Sequence, residues 1–175
     1  MKIPENAELK FKGIIFDVYQ WQQEMFDGSF ETFEGLKRGN TVVIIPIVDG
    51  KFLINDEEQP SLGKFLTFPC GRIDKSEESL ESAKRELSEE TGYESNNWEK
   101  YMRVQPDRKI EWTVHVFIAK NCNKIQEQKL DAGEKINTKL IKIDEFKEFF
   151  NSENFRGKEL AFIISKDEDF LNKLK

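Results

Sequence analysis

Glu86, Glu89 and Glu90 are spaced i, i+3 and i+4 in the run ESAKRELSEETGY. On a helix that spacing sets three carboxylates side by side on one face. Like charges on adjacent turns repel, and acids near a helix C-terminus also oppose its dipole. Nothing local rewards the arrangement, whereas a divalent cation held among the side chains would. Hard oxygen donors, with no Cys or clustered His beside them, suit Mg2+ or Mn2+ better than zinc. The competing reading is an ordinary solvated acidic helix face.

The helix that must present these acids has legible ends. Asp74, with Glu77 three residues on, resembles a capping box. Gly92 is placed to take the left-handed conformation after the last turn. Between them Leu80, Ala83 and Leu87 recur at i, i+3 and i+7, forming one apolar stripe for a core. Ser79 and Ser82 extend the acidic face toward the N-terminus and leave space above it.

Read in register, the segment 71–93 is Gly71, five residues, Glu77, seven residues, Arg85-Glu86-Leu87, Ser88, Glu89-Glu90, Thr91, Gly92 and Tyr93. It resembles the Nudix box, the signature of hydrolases that cut nucleoside diphosphates linked to another group. GluGlnPro at 58–60, LTFPCGRID at 66–74 and QKLDAGEKI at 128–136 resemble stretches of the ADP-ribose pyrophosphatase-like group within that family. The resemblance covers most of the chain, but only the box is specific.

That resemblance implies a set of roles. Glu86 and Glu90 would ligate metal ions, with Glu89 a further ligand or the holder of a metal-bound water. The backbone carbonyl of Cys70 would complete a metal site, its thiol being incidental. Arg85 would pair with Glu77 and orient the loop against the helix. Apart from the resemblance, Gly71, Arg72 and Arg38 are the candidates for substrate contact. The general base is commonly drawn from the late loop, which offers Asp131 and Glu134; Glu134 is preferred, with Glu86 or Glu89 as rivals, and Gly133 gives the loop freedom to bend. Mg2+ or Mn2+ is the implied cofactor, and water attack on a phosphorus of the diphosphate the implied reaction.

The substrate is less legible. ADP-ribose, giving AMP and ribose 5-phosphate, is the leading expectation. Other nucleotide sugars or dinucleotides stay open, because Pro60 and Ser61 stand where the group often has an arginine and Pro106 lies nearer the box than expected; nucleoside triphosphates, a further alternative, are disfavoured by the N-terminal sheet and by the segments at 58–60 and 128–136. A Nudix-fold sensor that binds such a nucleotide without cutting it is the alternative from another class; retention of all three box acids weighs against it. Trp21, Phe30, Trp98 and Trp112 are candidates to stack a base, each more readily explained by packing. Arg103 is a further candidate for phosphate. His115, the sole histidine, alternates with Val114 and Val116 and reads as a packed or surface residue.

Composition bounds the rest. A chain of 175 residues suits one domain with a real core. Its formal net charge is −6 with acids and bases interspersed, which leaves no basic stripe for nucleic acid. Two distant cysteines, Cys70 and Cys122, make no disulfide framework, so a reducing cytoplasm is expected. No apolar leader or membrane-length run is present, so neither signal peptide nor membrane span is expected. Most of the fifteen phenylalanines should be core.

The expected fold is an α/β/α sandwich of the Nudix type on a mixed sheet, as one domain over 1–175 with an N-terminal antiparallel β extension over about 1–39. Such an extension is the surface through which enzymes of this group often pair, so a homodimer is a further expectation. Phe11–Trp21, a strand after the Asp27-Gly28 turn, Thr41–Val48 and Lys51–Asn55 are expected strands before the box. Trp98–Gln105, Lys109–Lys120 and Leu140–Ile143 are expected after it. Helices are expected over Asp144–Asn151 and about Gly157–Leu174, the latter carrying Leu160, Ile163, Ile164, Leu171 and Leu174.

Overall fold

The computed structural model describes residues 1–167, 169, 170 and 174. Three strands open the chain: β1 (Glu8–Lys12), β2 (Asp17–Glu24) and β3 (Phe30–Lys37). Then come β4 (Thr41–Val48), β5 (Lys51–Gln59), β6 (Gly63–Thr67), β7 (Cys70–Arg72) and the helix α1 (Ser79–Thr91). The second half holds β8 (Tyr93–Glu94), β9 (Asn97–Val104), β10 (Ile110–Glu111), β11 (Val114–Lys120), β12 (Asn123–Lys124) and β13 (Lys135–Lys142), then α2 (Phe146–Asn151) and α3 (Lys158–Lys166).

The central sheet runs β13-β5-β4-β11-β9, with β6 on β5 and β7 on β4. It is mixed, since β11 pairs parallel with β4 while the other pairs are antiparallel. The run TVVIIPIV is buried on both faces, as its unbroken apolar character requires. On one side Val42, Ile44 and Val48 pack with Ala83 and Leu87 of α1, and with Phe117. On the other, Ile45, Ile47, Phe52 and Phe68 meet Phe146, Phe149, Phe150, Phe155 and Ile164 from the C-terminal helices and the turn between them. Helices on both faces of a mixed sheet make the expected α/β/α sandwich.

The sheet splits where the site lies. β4 and β5 pair only through Ile47–Phe52 and Val48–Lys51 beside their turn. Beyond that the two strands diverge, β7 taking the Thr41–Val43 end of β4 and β6 taking Asn55–Gln59 of β5. A cleft opens between them, walled by short strands that local pattern did not reveal.

Several expected boundaries move. Phe11–Trp21 is not one strand: the Gly13 amide donates to Phe16 O at 3.1 Å, and the chain folds back as β1 and β2. Lys109–Lys120 also divides, because β10 joins β3 of the N-terminal sheet while β11 enters the central one. The sheet of the extension, β1-β2-β3-β10, is thus completed by a strand from late in the chain. The box helix starts at Ser79 rather than near Asp74, because Glu77 gives its carboxylate to Arg85 instead of capping the helix. Its end is as expected, with Gly92 left-handed at φ 76°. The late strand is longer than Leu140–Ile143, since it pairs with β5 along its whole length. A 3-10 turn over Ile143–Glu145 precedes α2, and α3 ends at Lys166, short of Leu174. Leu171 lies outside the described residues. Among the described residues no helix is long and apolar enough to cross a membrane.

Candidate active site

Arg85 organises the box. Its Nε and Nη2 donate to the two oxygens of Glu77, each at 3.0 Å, a paired fork that ties the loop before α1 to the helix. Its Nη1 donates to Glu86 at 2.9 Å and to Glu89 at 3.0 Å, and Nη2 also reaches the Arg72 carbonyl at 3.2 Å. These bonds, Glu77 first, raise the guanidinium's pKa further, so it is a permanent cation. It holds together carboxylates that would otherwise repel.

Glu90 is the buried member of the acid trio, 5% exposed. One of its oxygens accepts from Asn55 Nδ2 at 2.8 Å and from the Cys70 amide at 3.1 Å, so α1, β5 and β7 meet at this carboxylate. Burial first, then the charges of Glu86 and Glu57, pushes the Glu90 carboxyl well above the usual carboxylate range. Burial also raises Glu86, although Arg85 opposes it. Gly71 is the condition for Glu86 to sit where it does: a Cβ there would fall 2.0 Å from Glu86 Cδ. The Cys70 thiol is pushed well up by burial and by Glu90, so it is no thiolate.

The late loop is fastened onto the same helix. The Lys129 amide donates to Glu89 O at 2.8 Å, Gln126 Nε2 to Ser88 Oγ at 2.7 Å, and Gln128 Nε2 to the carbonyls of Glu90 and Ile136. This delivers Glu134 to the mouth of the cleft just before β13 begins. Burial raises its carboxyl, and Asp131 and Glu89 add to the effect. Asp131 is exposed and does not line the cleft.

The cleft is a cavity of about 670 Å3, its walls carrying Glu57, Glu90, Glu134, Arg38, Arg72 and Trp112 among others. Glu86, Glu89 and Arg85 lie outside its wall, with Glu86 near enough to Glu90 and Glu134 to feel their charge. Among the described residues no three acidic, His or Cys side chains converge closely enough to enclose a cation as they stand. Arg38 lies 4.5 Å from the Trp112 ring centre and 5.5 Å from that of Phe16. Its Nε is buried with no partner among the described residues, and burial with the nearby charge of Arg72 lowers its pKa. Two adjacent guanidinia, one lacking a carboxylate partner, make a site suited to an anion.

Other candidates fall elsewhere. Trp21 packs against Phe33, Trp98 against Phe117, and Phe30 is exposed on the N-terminal sheet, so none of the three lines the cavity. Pro106 does line it; Arg103 does not. His115 pairs with Arg103 across β11 and β9, and its buried Nδ1 has no partner among the described residues.

Two wall residues escaped the sequence reading. Glu57 is 4% exposed, accepts from Gln59 Nε2 at 2.6 Å, and is raised by burial. A signal existed in Asn55, Glu57 and Gln59 alternating along one strand face directly after an apolar run. Arg156 had none, since only the tertiary fold brings residue 156 to the cleft.

Comparisons with known proteins identify the family. The model of the NUDIX domain family matches residues 37–161. Over 158 residues the chain is 25% identical to an ADP-ribose pyrophosphatase of Bacillus subtilis (strain 168), covering 88% of this chain and 85% of that protein. It is 26% identical over 145 residues to a methanol dehydrogenase activator of Bacillus methanolicus, covering 80% and 78%. The crystal structure of an ADP compounds hydrolase superposes with a TM-score of 0.78 at 20% identity, covering 93% of this chain and 91% of that one, which is a likeness of fold. With the family model spanning most of the sequence, the chain belongs to the NUDIX domain family and is a Nudix hydrolase.

Proposed function

We propose that this chain hydrolyses the diphosphate of a nucleoside diphosphate joined to a sugar, with ADP-ribose as substrate and AMP and ribose 5-phosphate as products. The observation that carries the reading is the cavity itself, where the carboxylates Glu57, Glu90 and Glu134 share walls with the guanidinia of Arg38 and Arg72 and the ring of Trp112. Acids alone would repel a diphosphate, and guanidinia alone would hold it unreacted. The B. subtilis relative is named for the same activity.

The acids fit a divalent cation. Their donors are hard oxygens, burial and mutual repulsion raise their pKa values, and Asn55 Oδ1 is buried without a donor among the described residues. Glu86 and Glu90 would hold Mg2+, or Mn2+, with Glu89 and the Cys70 carbonyl as further donors. When bound, the cation supplies Lewis acidity that acidifies water and neutralises the diphosphate oxygens.

The chain's own residues do the rest. Arg85 and Glu77 position the box against α1, and Gly71 leaves room for Glu86. Arg38 and Arg72 orient the phosphates, with Trp112 beside them to stack the base. Glu134 takes a proton from the attacking water, burial having made its carboxylate a stronger base than an ordinary glutamate. One phosphorus–oxygen bond forms and the bridging bond breaks, leaving two phosphomonoesters.

A homodimer through the N-terminal sheet belongs to this reading, supported by the exposed apolar side chains Leu9, Phe11, Ile15 and Phe30. So does a cytoplasmic location. The test is phosphate release coupled to a phosphatase across ADP-ribose, other nucleotide sugars, NADH, dinucleoside polyphosphates and nucleoside triphosphates, with Mg2+, Mn2+ and EDTA arms. Cation-dependent AMP formation fastest from ADP-ribose is the expected result. Silence across the panel with tight binding of one member would replace hydrolysis by sensing.

A further inference from the structure

The C-terminal segment lays a second positive group on the cavity, opposite in origin to Arg38 and Arg72. Asn154 O accepts the Leu66 amide at 2.8 Å, and the Arg156 amide donates back to Leu66 O at 2.8 Å. These bonds flank a parallel bridge between Leu66 and Phe155, so residues 154–156 add to the outer edge of β6. Phe155 anchors the bridge from below, 3% exposed, with ring centres 4.8 Å from Phe149 and 5.1 Å from Phe150. Gly157, at φ 88°, then turns the chain into α3. The backbone of Arg156 is therefore fixed from both sides.

Its side chain lines the cavity. The guanidinium sits 4.2 Å from the ring centre of Phe65, a buried residue that lines the same cavity. A cation over a ring face is attracted by the ring's quadrupole, which favours this placement of the guanidinium. Among the described residues no carboxylate lies within ion-pair distance of Arg156. The acid it influences is Glu57, where its charge partly offsets burial. The turn between β5 and β6, Pro60-Ser61-Leu62, brings no cation to this wall. A held, unpaired guanidinium thus stands beside the carboxylate cluster, with its fork of donors uncommitted to any acid.

We propose that Arg156 is a substrate-binding residue that grips a phosphate of the diphosphate from the C-terminal wall. The assignment rests on the pyrophosphohydrolase reading of the cavity. It makes the diphosphate a group held from two sides: Arg38 and Arg72 from the β3–β4 and β7 side, Arg156 from β6. Two oxygens of one phosphate match the paired donors of a guanidinium, whereas a lysine offers only a point charge.

The test is equilibrium binding of ADP and of adenosine by calorimetry, without divalent cation and with Ca2+, to the wild type, Arg156→Ala, Arg156→Lys and Arg156→Met. Steady-state kinetics on ADP-ribose and thermal melts accompany it. Loss of the guanidinium should weaken ADP binding about ten- to hundredfold, leave adenosine binding unchanged, and raise KM more than it lowers kcat. Arg156→Lys should recover part of the affinity. Arg156→Met keeps the stem over Phe65 and carries the comparison if the alanine variant melts early. ADP affinity within twofold of wild type in Arg156→Met would overturn the assignment while leaving the diphosphate reading intact. A wild type that binds ADP no better than adenosine would overturn both.

Discussion

Replacing Gly71 by alanine should separate the catalytic geometry from the fold. A Cβ at Gly71 would fall 2.0 Å from Glu86 Cδ and Oε1, and non-bonded heavy atoms rest at about 3.5 Å or more, so the carboxylate must retreat by about 1.5 Å. The backbone is no obstacle, because Gly71 is not at positive φ. The obstructing group is the end of a flexible side chain, and Arg85 keeps Glu77 and Glu89 when Glu86 swings away. Losing the partly buried Arg85–Glu86 pair costs about 1 kcal/mol, because Glu86 swings out and is not left buried without its partner. Catalysis has no such slack, since a displacement of about 1 Å costs on the order of 10²-fold, or about 2.7 kcal/mol of barrier. Gly71→Ala should therefore melt within a few degrees of wild type and lose on the order of 10² in kcat, read by coupled phosphate release at saturating Mg2+. Turnover within threefold of wild type would refute the reasoning, because Glu86 would then be displaced without consequence. An early melt would refute it differently, by showing that the clash falls on the fold.

Three further expectations follow from the same geometry. Glu90→Gln should abolish cation-dependent turnover and leave the melting temperature in EDTA equal or higher, since a neutral amide replaces a buried charge; activity retained at saturating Mg2+ would contradict its place as a ligand. Glu134→Gln should lower kcat by on the order of 10²–10⁴ with little change in KM, and a loss under tenfold would return the base to the box. Burial, with Arg103 and Lys100 nearby, holds the His115 imidazole below its ordinary value. The folded state thus binds that proton less readily, so this contribution is present above pH ~6.5 and is lost as pH falls toward the folded value. His115→Gln should lose less stability than wild type between pH 7.5 and pH 5 in urea titrations; parallel pH profiles would contradict this.

The acid trio and the Gly92 stop were legible in the sequence because each depends on helical spacing or on a single residue's backbone freedom, whereas the Arg85–Glu77 pair came from the family resemblance. The run TVVIIPIV announced a strand buried on both faces for a similar reason, since one short segment carried the whole pattern. Where the signal was local but ambiguous, the structure corrected it. Asp74 and Glu77 resemble a cap, yet Arg85 lies eight residues beyond Glu77 and claims its carboxylate. Lys109–Lys120 has no Gly or Pro to interrupt a strand, yet its two parts enter different sheets. The cleft itself was beyond the sequence: it exists because β4 and β5 separate after two residue pairs and admit β6 and β7 between them. Glu57, buried in that split, and Arg156, carried there by a bridge between Leu66 and Phe155, 89 positions apart, owe their places to long-range pairing. Spacing along the chain determines which side chains share an element's face; which faces then enclose a diphosphate is decided by strand pairing and burial, and those are properties of the folded chain as a whole.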